Sequence, residues 1–530
     1  MTSQPQLSTT PAEAPERPMS GRSTDLIEPI VAGDLAIERR GAWQFLGRPA
    51  VKPLLVGFLG SVILAIGGFG AGGVLVHDPL LEGTPLVAWR FGHGYNLAVM
   101  VCYLGLGLEL WAWVMLGRDV LARRANSRAV LTTAALWILP MLVSAPLFTR
   151  DPYSYIAYGT MALHGLDPYG GGPSVLSGPV PDNVHWFWLD TPSPYEPLFI
   201  AIAKAVVAVT GHNMIVGVLL MRLAMVVGLV LFVAALPGLV RHLGGHLPTA
   251  LWIAVANPVM VFHLIGGPHN DLLTVGFLAV GALLALNRKH AAGIALVSMA
   301  AAVKATAALA LPFLVLVWAA RLRGDRRARI LKAAGASIAV FVGVFAVWSA
   351  IAKVGLGWIP ALNAPSNIVN WLSLPTGVGQ LIYTVVGWIA PGVSQTPFVT
   401  VTRVIGVLAF LAISVRQWKA SRDGGPDAVR RAGIVLLLFA LLAPAALPWY
   451  YTWGMALLAA TAWSVPRMQV ATVASIFLII AAFPDGEVSL YALGYLLLCM
   501  AGALVAAKAL RSPDPLRLRP GRYHRPAVDG

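Results

Sequence analysis

The chain has 530 residues, 58% apolar and 12% charged, with a formal net charge of +15. Soluble domains carry about a quarter charged residues, so this composition cannot cover a water-exposed surface and excludes a soluble globular protein. The basic excess does not point to nucleic acid either, because Lys and Arg cluster between apolar runs, as membrane topology and anionic lipid require. Cys102 and Cys499 each lie inside an apolar run, so neither a disulfide framework nor a thiolate metal cluster is expected.

Taken in order, residues 1–50 are rich in Pro, Ser, Thr and Glu and read as a disordered cytoplasmic tail. No secretory leader is visible there, so the first span, 54–76, is expected to serve as the insertion signal. Further apolar runs fall at 95–117, 128–148, 214–240, 248–266, 271–287, 291–303, 306–320, 330–352, 398–418, 431–447, 449–463, 470–483 and 488–509. The expected fold is therefore an all-α polytopic membrane protein with about 13–14 transmembrane helices. Several runs are too short to cross a bilayer straight and are expected to be half-spans or tilted pairs. Residues 51–510 form the multispanning domain, and 511–530 a cytoplasmic tail.

Basic residues set the orientation. Arg118 to Arg128, Arg241, Arg288 and Lys289, Arg321 to Arg329, Arg416 to Arg431, Arg467 and the segment after Lys508 fall in one set of loops. The other set holds only Arg90, Arg150, Lys353 and Arg403. The first set is expected in the cytoplasm with both termini, and the loop after Arg150 outside. Leu198–Thr210 reads as an interfacial helix, because counting it as a span would break this alternation. A further interfacial helix is possible within 353–397.

The outward side gathers carboxylates, aromatics and prolines. Arg150-Asp151-Pro152-Tyr153-Ser154-Tyr155 opens the longest polar interruption, which continues through Leu166-Asp167-Pro168-Tyr169 to Pro194-Tyr195-Glu196. His269-Asn270-Asp271 and Pro448-Trp449-Tyr450-Tyr451 lie on the same side, with Lys304 and Arg222 as cations inside apolar runs. Aromatic rings stack on sugars while Asn, Asp and His bond their hydroxyls. One ionised carboxylate can deprotonate an attacking hydroxyl, and a cation can hold a lipid phosphate. Each residue also has a plainer reading. Asp151 could cap a helix or pair with Arg150, His269-Asn270-Asp271 could be an ordinary N-cap, Arg222 could snorkel, and the Trp449 cluster could be an aromatic belt. There is no phosphate-binding GxxxxGK[ST], no zinc-spaced His/Cys set and no Asp-x-Asp pair, so neither an ATP pump nor a metal–nucleotide-sugar enzyme is expected.

Together these stretches, with Val303-Lys304-Ala305-Thr306 and Leu447-Pro448-Trp449-Tyr450-Tyr451, resemble the mycobacterial and corynebacterial polyprenol-phosphomannose-dependent α-1,6-mannosyltransferases, the MptA/MptB family of the GT-C class. His77-Asp78-Pro79-Leu80-Leu81-Glu82 and Arg90-Phe91-Gly92-His93-Gly94 are closer to the MptA branch, which elongates the mannan core, than to the initiating branch. The resemblance covers roughly residues 50 to 500. It implies an inverting glycosyltransferase in the plasma membrane. The enzyme would move mannose from polyprenyl-phosphate-mannose to the α-1,6-mannan of lipomannan and lipoarabinomannan on the outer face, and would require no metal or cofactor. Asp151 matches the family's catalytic acidic position. Tyr153, Tyr155, Tyr195, Glu196, His269, Asn270, Asp271, Trp449, Tyr450 and Tyr451 are expected at the substrate, and Lys304 and Arg222 at the carrier phosphate. Glu196 departs from the small residue usual at its place and adds a second carboxylate. The rival readings are an initiating mannosyltransferase of the same pathway, a transporter or flippase of lipid-linked sugars, and a non-catalytic envelope scaffold.

Overall fold

The computed structural model describes residues 50–487 and 492–516. The expected N-terminal tail, apart from Ala50, and the C-terminal tail beyond residue 516 lie outside the described residues. In chain order the principal helices are α1 (Val51–Ala71), α2 (Gly92–Leu121), α3 (Ser127–Val143), α4 (Asp151–Leu163), α5 (Pro197–Thr210), α6 (Met214–Leu243), α7 (Asp271–Leu286), α8 (His290–Val303), α9 (Leu311–Ala319), α10 (Arg326–Ala352), α11 (Leu374–Ile389), α12 (Thr396–Ala420), α13 (Gly425–Leu442), α14 (Tyr451–Leu458), α15 (Val465–Ile480) and α16 (Leu493–Ala509). No strand forms among the described residues. An antiparallel bridge joins Gly244 and Thr461.

Five helices, α1, α2, α6, α10 and α12, are long and apolar enough to cross a membrane. A sixth candidate is Leu247–Val255 with Val259–Gly266, bent by 48°. This is fewer than the sequence suggests, for a geometric reason. A 14-residue helix such as α8 rises only about 21 Å at 1.5 Å per residue, against a hydrocarbon core of about 30 Å. A short apolar helix of this kind does not cross such a core on its own. In the opposite direction, α11 is an apolar 16-residue helix where the sequence offers no span. Pro375, Thr376, Gly377 and Gly379 dilute its apolar run.

Two breaks in this bundle build the site. The bend after Val255 follows from Pro258, which cannot continue the helical hydrogen bonds. Asn257 repairs the gap, donating to Ile253 O at 2.9 Å and Ser475 Oγ at 2.7 Å while accepting from Val259 N–H at 2.9 Å. The half-helix then ends in Gly266-Gly267-Pro268, which hands the chain to α7 at Asp271. The second break separates α8 from α9. Lys304 adopts an extended conformation (φ −152°, ψ 112°), so its side chain leaves the helical row. α6 and α7 cross so closely that a Cβ on Gly228 would lie 2.1 Å from Leu272 O, and one on Gly276 2.3 Å from Gly228 O. This close backbone approach fixes the start of α7 and leaves room only for glycine.

Candidate active site

Asp151 is the first residue of α4 and does not act as a side-chain cap. Its backbone N–H bonds Thr149 Oγ1 at 3.0 Å. Arg150 turns away, donating to Asn183 O at 3.2 Å and lying 5.3 Å over the Tyr153 ring. Neither plain reading of Asp151 therefore describes its side chain. Its carboxylate meets His269 instead, with Nδ1 3.3 Å from Oδ2. The ring is fully buried and stacks on Trp449 with centroids 3.6 Å apart at 23°. Tyr155 hydroxyl lies 3.4 Å from the same nitrogen, and its ring is wedged edge-on against Tyr195 (5.2 Å) and Phe199 (4.8 Å). Burial pushes the Asp151 carboxyl up, but the His269 hydrogen bond and charge, with help from Lys304, hold it below the usual carboxylate range. At neutral pH it is ionised.

Asn270 precedes α7 without capping it. Both its polar side-chain atoms and His269 Nε2 are buried and make no hydrogen bond within the protein. Asp271 is likewise not spent on the helix terminus. Its Oδ2 pairs with Lys304 Nζ at 3.0 Å and its Oδ1 accepts Trp453 Nε1–H at 2.6 Å. The Lys304 ammonium is caged by aromatic faces, 5.1 Å from Tyr450, 5.5 Å from Trp453 and 6.0 Å from Tyr195. Tyr450 and Trp453 stack at 4.1 Å. Glu196 precedes α5 and accepts Ala305 N–H on Oε1 at 2.7 Å, while Oε2 has no partner. Burial pushes this carboxyl up to about 8, although the Ala305 N–H and Lys304 favour its charged form. Two nearby carboxyl groups thus sit in opposite protonation states, because one is ion-paired and the other desolvated.

Two cavities meet at Asp151. The larger, about 390 Å³, is lined by Tyr195, Glu196, Lys304, Thr306, Trp449 and Tyr450 and has apolar walls of Leu309, Leu362 and Phe439. The smaller, about 110 Å³, is lined by Trp186, Phe187, Trp188, Asn370 and Glu487. Asp151, Trp188, Leu447 and Trp449 belong to both. His185 spans the mouth of the smaller cavity toward Glu487, with Nε2 3.6 Å from Oε1. Burial pulls the His185 imidazole down, against the opposing pull of Glu487. Among the described residues, no three His, Cys, Asp or Glu side chains converge as metal ligands.

Three residues singled out in the sequence lie elsewhere. Arg222 is buried, and its guanidinium donates to Ile265 O (2.9 Å), Leu142 O (2.9 Å) and Gly266 O (2.8 Å). It holds the turn before His269 and lines neither cavity. Tyr153 donates to Gly73 O at 2.5 Å, away from the site. Tyr451 faces a small internal pocket with Asn257. Conversely, Trp188, Asn370 and Trp453 line the cavities although the sequence does not single them out as site residues, and Thr306, part of the Val303–Thr306 stretch, joins them. The remaining candidates, Tyr155, Tyr195, Glu196, His269, Asn270, Asp271, Lys304, Trp449 and Tyr450, gather within the site or its immediate support.

Comparison with known proteins adds an independent line. The family model described as alpha-(1->6)-mannopyranosyltransferase, N-terminal domain, matches residues 54–320, and that described as MptB C-terminal domain matches residues 375–512. The chain is 41% identical to alpha-(1->6)-mannopyranosyltransferase A of Mycobacterium tuberculosis over 91% of its own length and 96% of that protein. It is 32% identical to alpha-(1->6)-mannopyranosyltransferase A of Corynebacterium glutamicum, covering 81% and 92%. It is 30% identical to the B protein of the same organism, covering 77% and 72%. No solved structure matches the chain.

Proposed function

The chain belongs to the family of alpha-(1->6)-mannopyranosyltransferases, and from that membership we propose that it moves mannose from a polyprenyl-phosphate carrier to an α-1,6-linked mannoside, with Asp151 as the base. The observation that carries this reading is that two cavities of unequal character meet at one ionised carboxylate. The larger suits a mannosyl phosphate. Tyr195, Trp449 and Tyr450 offer faces to the sugar, Lys304 offers charge to the phosphate, and Leu309, Leu362 and Phe439 make an apolar path for the carrier chain. The smaller, walled by Trp186 and Trp188, suits the acceptor mannoside.

Asp151 removes the proton from the acceptor 6-hydroxyl as that oxygen attacks the anomeric carbon. The carbon–oxygen bond to phosphate breaks, and the departing phosphate is stabilised by Lys304. One base on the face opposite the leaving group gives inversion, so a β-linked carrier yields an α-linked product without a covalent sugar–enzyme intermediate. His269 keeps the carboxylate ionised and aimed, and itself is held by the Trp449 stack. Phosphate binding falls to Lys304 rather than Arg222, whose guanidinium is already engaged by three carbonyls. The site faces outward, because the densest arginine clusters lie in the loops assigned to the opposite side. Identity is higher to the two A proteins than to the B protein, which favours elongation of the mannan of lipomannan and lipoarabinomannan over initiation.

The test uses membranes carrying wild type or Asp151→Asn at equal protein level, with labelled polyprenyl-phosphomannose and a short α-1,6-mannoside. Wild type should lengthen the mannoside, and the variant should fall by about 10²–10⁴-fold, the usual contribution of a positioned base. Transfer that survives the substitution removes Asp151 from that role. No transfer by wild type overturns the donor or the acceptor assignment.

A further inference from the structure

The end of the bundle remote from Asp151 holds a further cavity, apart from the two that meet at that residue. α9 and the helical turn before it connect the two places. Ala305 and Leu309 line the large active-site cavity, and Leu316, Ala319 and Ala320 line the remote one. The fourteen residue steps from Ala305 to Ala319 separate them by roughly 20 Å at the helical rise. The remote cavity measures about 220 Å³ and is ringed by Arg326, Arg329, Arg422 and Asp423.

Its charges are unspent. Among the described residues no ion pair engages Arg326, Arg329 or Arg422, and Arg329 Nε is shielded from water without a hydrogen-bond partner. The nearby carboxylates are occupied: Asp325 accepts Ala328 N–H at 3.0 Å, and Asp427 pairs with Arg430 and Arg431. Three guanidinium groups against the Asp423 carboxylate leave two positive charges around the cavity. The turn carrying Arg422 and Asp423 is fixed in place. Gly424 sits at φ +66°, and a Cβ there would lie 2.7 Å from Leu316 O, so the turn presses directly on α9. The wall opposite the arginines, Leu316, Ala319 and Ala320, is apolar.

Two spans lead away from this cavity along the bundle, and both are bare. α10 starts at Arg326 and ends at Ala352, whose carbonyl receives Lys204 Nζ at 3.4 Å. α12 ends at Ala420, two residues before Arg422, and reaches α9 through Trp418 N–H to Pro312 O at 3.1 Å. Each has only 17% of its apolar window buried, against 44–56% for the other three long spans. Leu331 and Ile338 on α10 and Leu411 and Val415 on α12 are exposed.

We propose that this cavity seats the phosphate headgroup of an anionic phospholipid, whose acyl chains lie along α10 and α12. Guanidinium forks match phosphate oxygens, and a basic pocket at the membrane surface between helices is where such a headgroup gains both charge and depth. The exposed aliphatic faces that begin at the arginines favour a lipid over a free anion.

The full chain is purified in mild detergent and reconstituted into nanodiscs of phosphatidylcholine doped with phosphatidylglycerol, and retained lipid is counted by native mass spectrometry. Wild type should retain phosphatidylglycerol over phosphatidylcholine, and Arg329→Gln with Arg422→Gln should reduce that retention at least tenfold. Arg327→Gln, which removes charge nearby without lining the cavity, should change it less than twofold. Millimolar inorganic phosphate should not displace the lipid. Equal retention by the double variant, an equal loss in Arg327→Gln, or displacement by free phosphate would each overturn the proposal. Mannosyl transfer is read on the same samples as a folding control and is expected in every variant.

Discussion

Glu196 gives the sharpest prediction, because its buried carboxyl is held near the pH of assay. Oε1 already accepts the Ala305 N–H, so the proton of the neutral acid resides on Oε2, beside the cavity that also holds Lys304. With the carboxyl pushed up to about 8, about nine-tenths is neutral at pH 7 and about one-tenth at pH 9. A neutral acid can donate to a phosphate or sugar oxygen, whereas a carboxylate repels a phosphate. Donor affinity should therefore fall as pH rises through about 8, approaching tenfold per pH unit above it. Stability carries the same sign. The folded carboxyl is raised from 4.5 to about 8, so its stabilisation is complete below about pH 4.5 and is lost as pH rises to about 8. The slope is at most about 1.4 kcal/mol per pH unit, and ionisation adds nothing beyond that window. Glu196→Gln keeps the acceptor for Ala305 and a donor at the second position, so it should retain activity near pH 7 and flatten the alkaline limb. The assay is KM for polyprenyl-phosphomannose between pH 6 and pH 9.5 in both proteins. An alkaline rise in KM that persists unchanged in Glu196→Gln would refute the assignment.

Other perturbations follow from the same contacts. His269→Ala removes the largest of the interactions holding the Asp151 carboxyl down, so its titration moves upward. The acid limb of the rate profile should shift to higher pH with kcat lowered, and an unmoved limb would detach His269 from the base. Lys304→Met leaves Asp271 buried with only Trp453 as partner. Stranding a buried charge costs about 3–5 kcal/mol, so thermal unfolding should drop sharply. Adding Asp271→Asn should restore the unfolding temperature but not the transfer, which separates a phosphate role from a structural one. Arg222→Met takes the guanidinium from Ile265 O and Leu142 O, at about 1–3 kcal/mol for each carbonyl left unpaired, while Gly266 O keeps the Leu147 N–H. It should destabilise the protein, with unchanged donor KM in the fraction that folds; a specific rise in KM would return Arg222 to the carrier phosphate.

Much of the site was legible because its chemistry sits at interruptions of apolar runs. A carboxylate, imidazole or ammonium has few tolerable places in a chain this apolar, and Asp151, His269, Asp271 and Lys304 occupy such places. What each one touches was not legible. An Asn or Asp ahead of an apolar run reads as an N-cap, yet neither Asn270 nor Asp271 caps α7. Asp271 is drawn instead to Lys304, thirty-three residues on. That choice depends on the break at Lys304, and an extended residue between two short helices leaves no periodic trace.

The same reasoning explains why intramembrane cations cannot be ranked from sequence. Arg222 and Lys304 both read as charges a span would not carry without purpose. The difference lies in what the fold lacks around each. The C-terminal ends of α3 and of the half-helix that stops at Gly266 leave carbonyls without a helical partner, and five donors in a planar fork can serve several at once. Arg222 is drawn there, to Leu142, Ile265 and Gly266. Lys304 meets one carboxylate and three aromatic faces, which hold an ammonium without exhausting its three donors. The guanidinium is consumed by structure, while the ammonium keeps capacity for a phosphate. Broken helices thus create the demand that decides which cation is structural and which can serve a substrate.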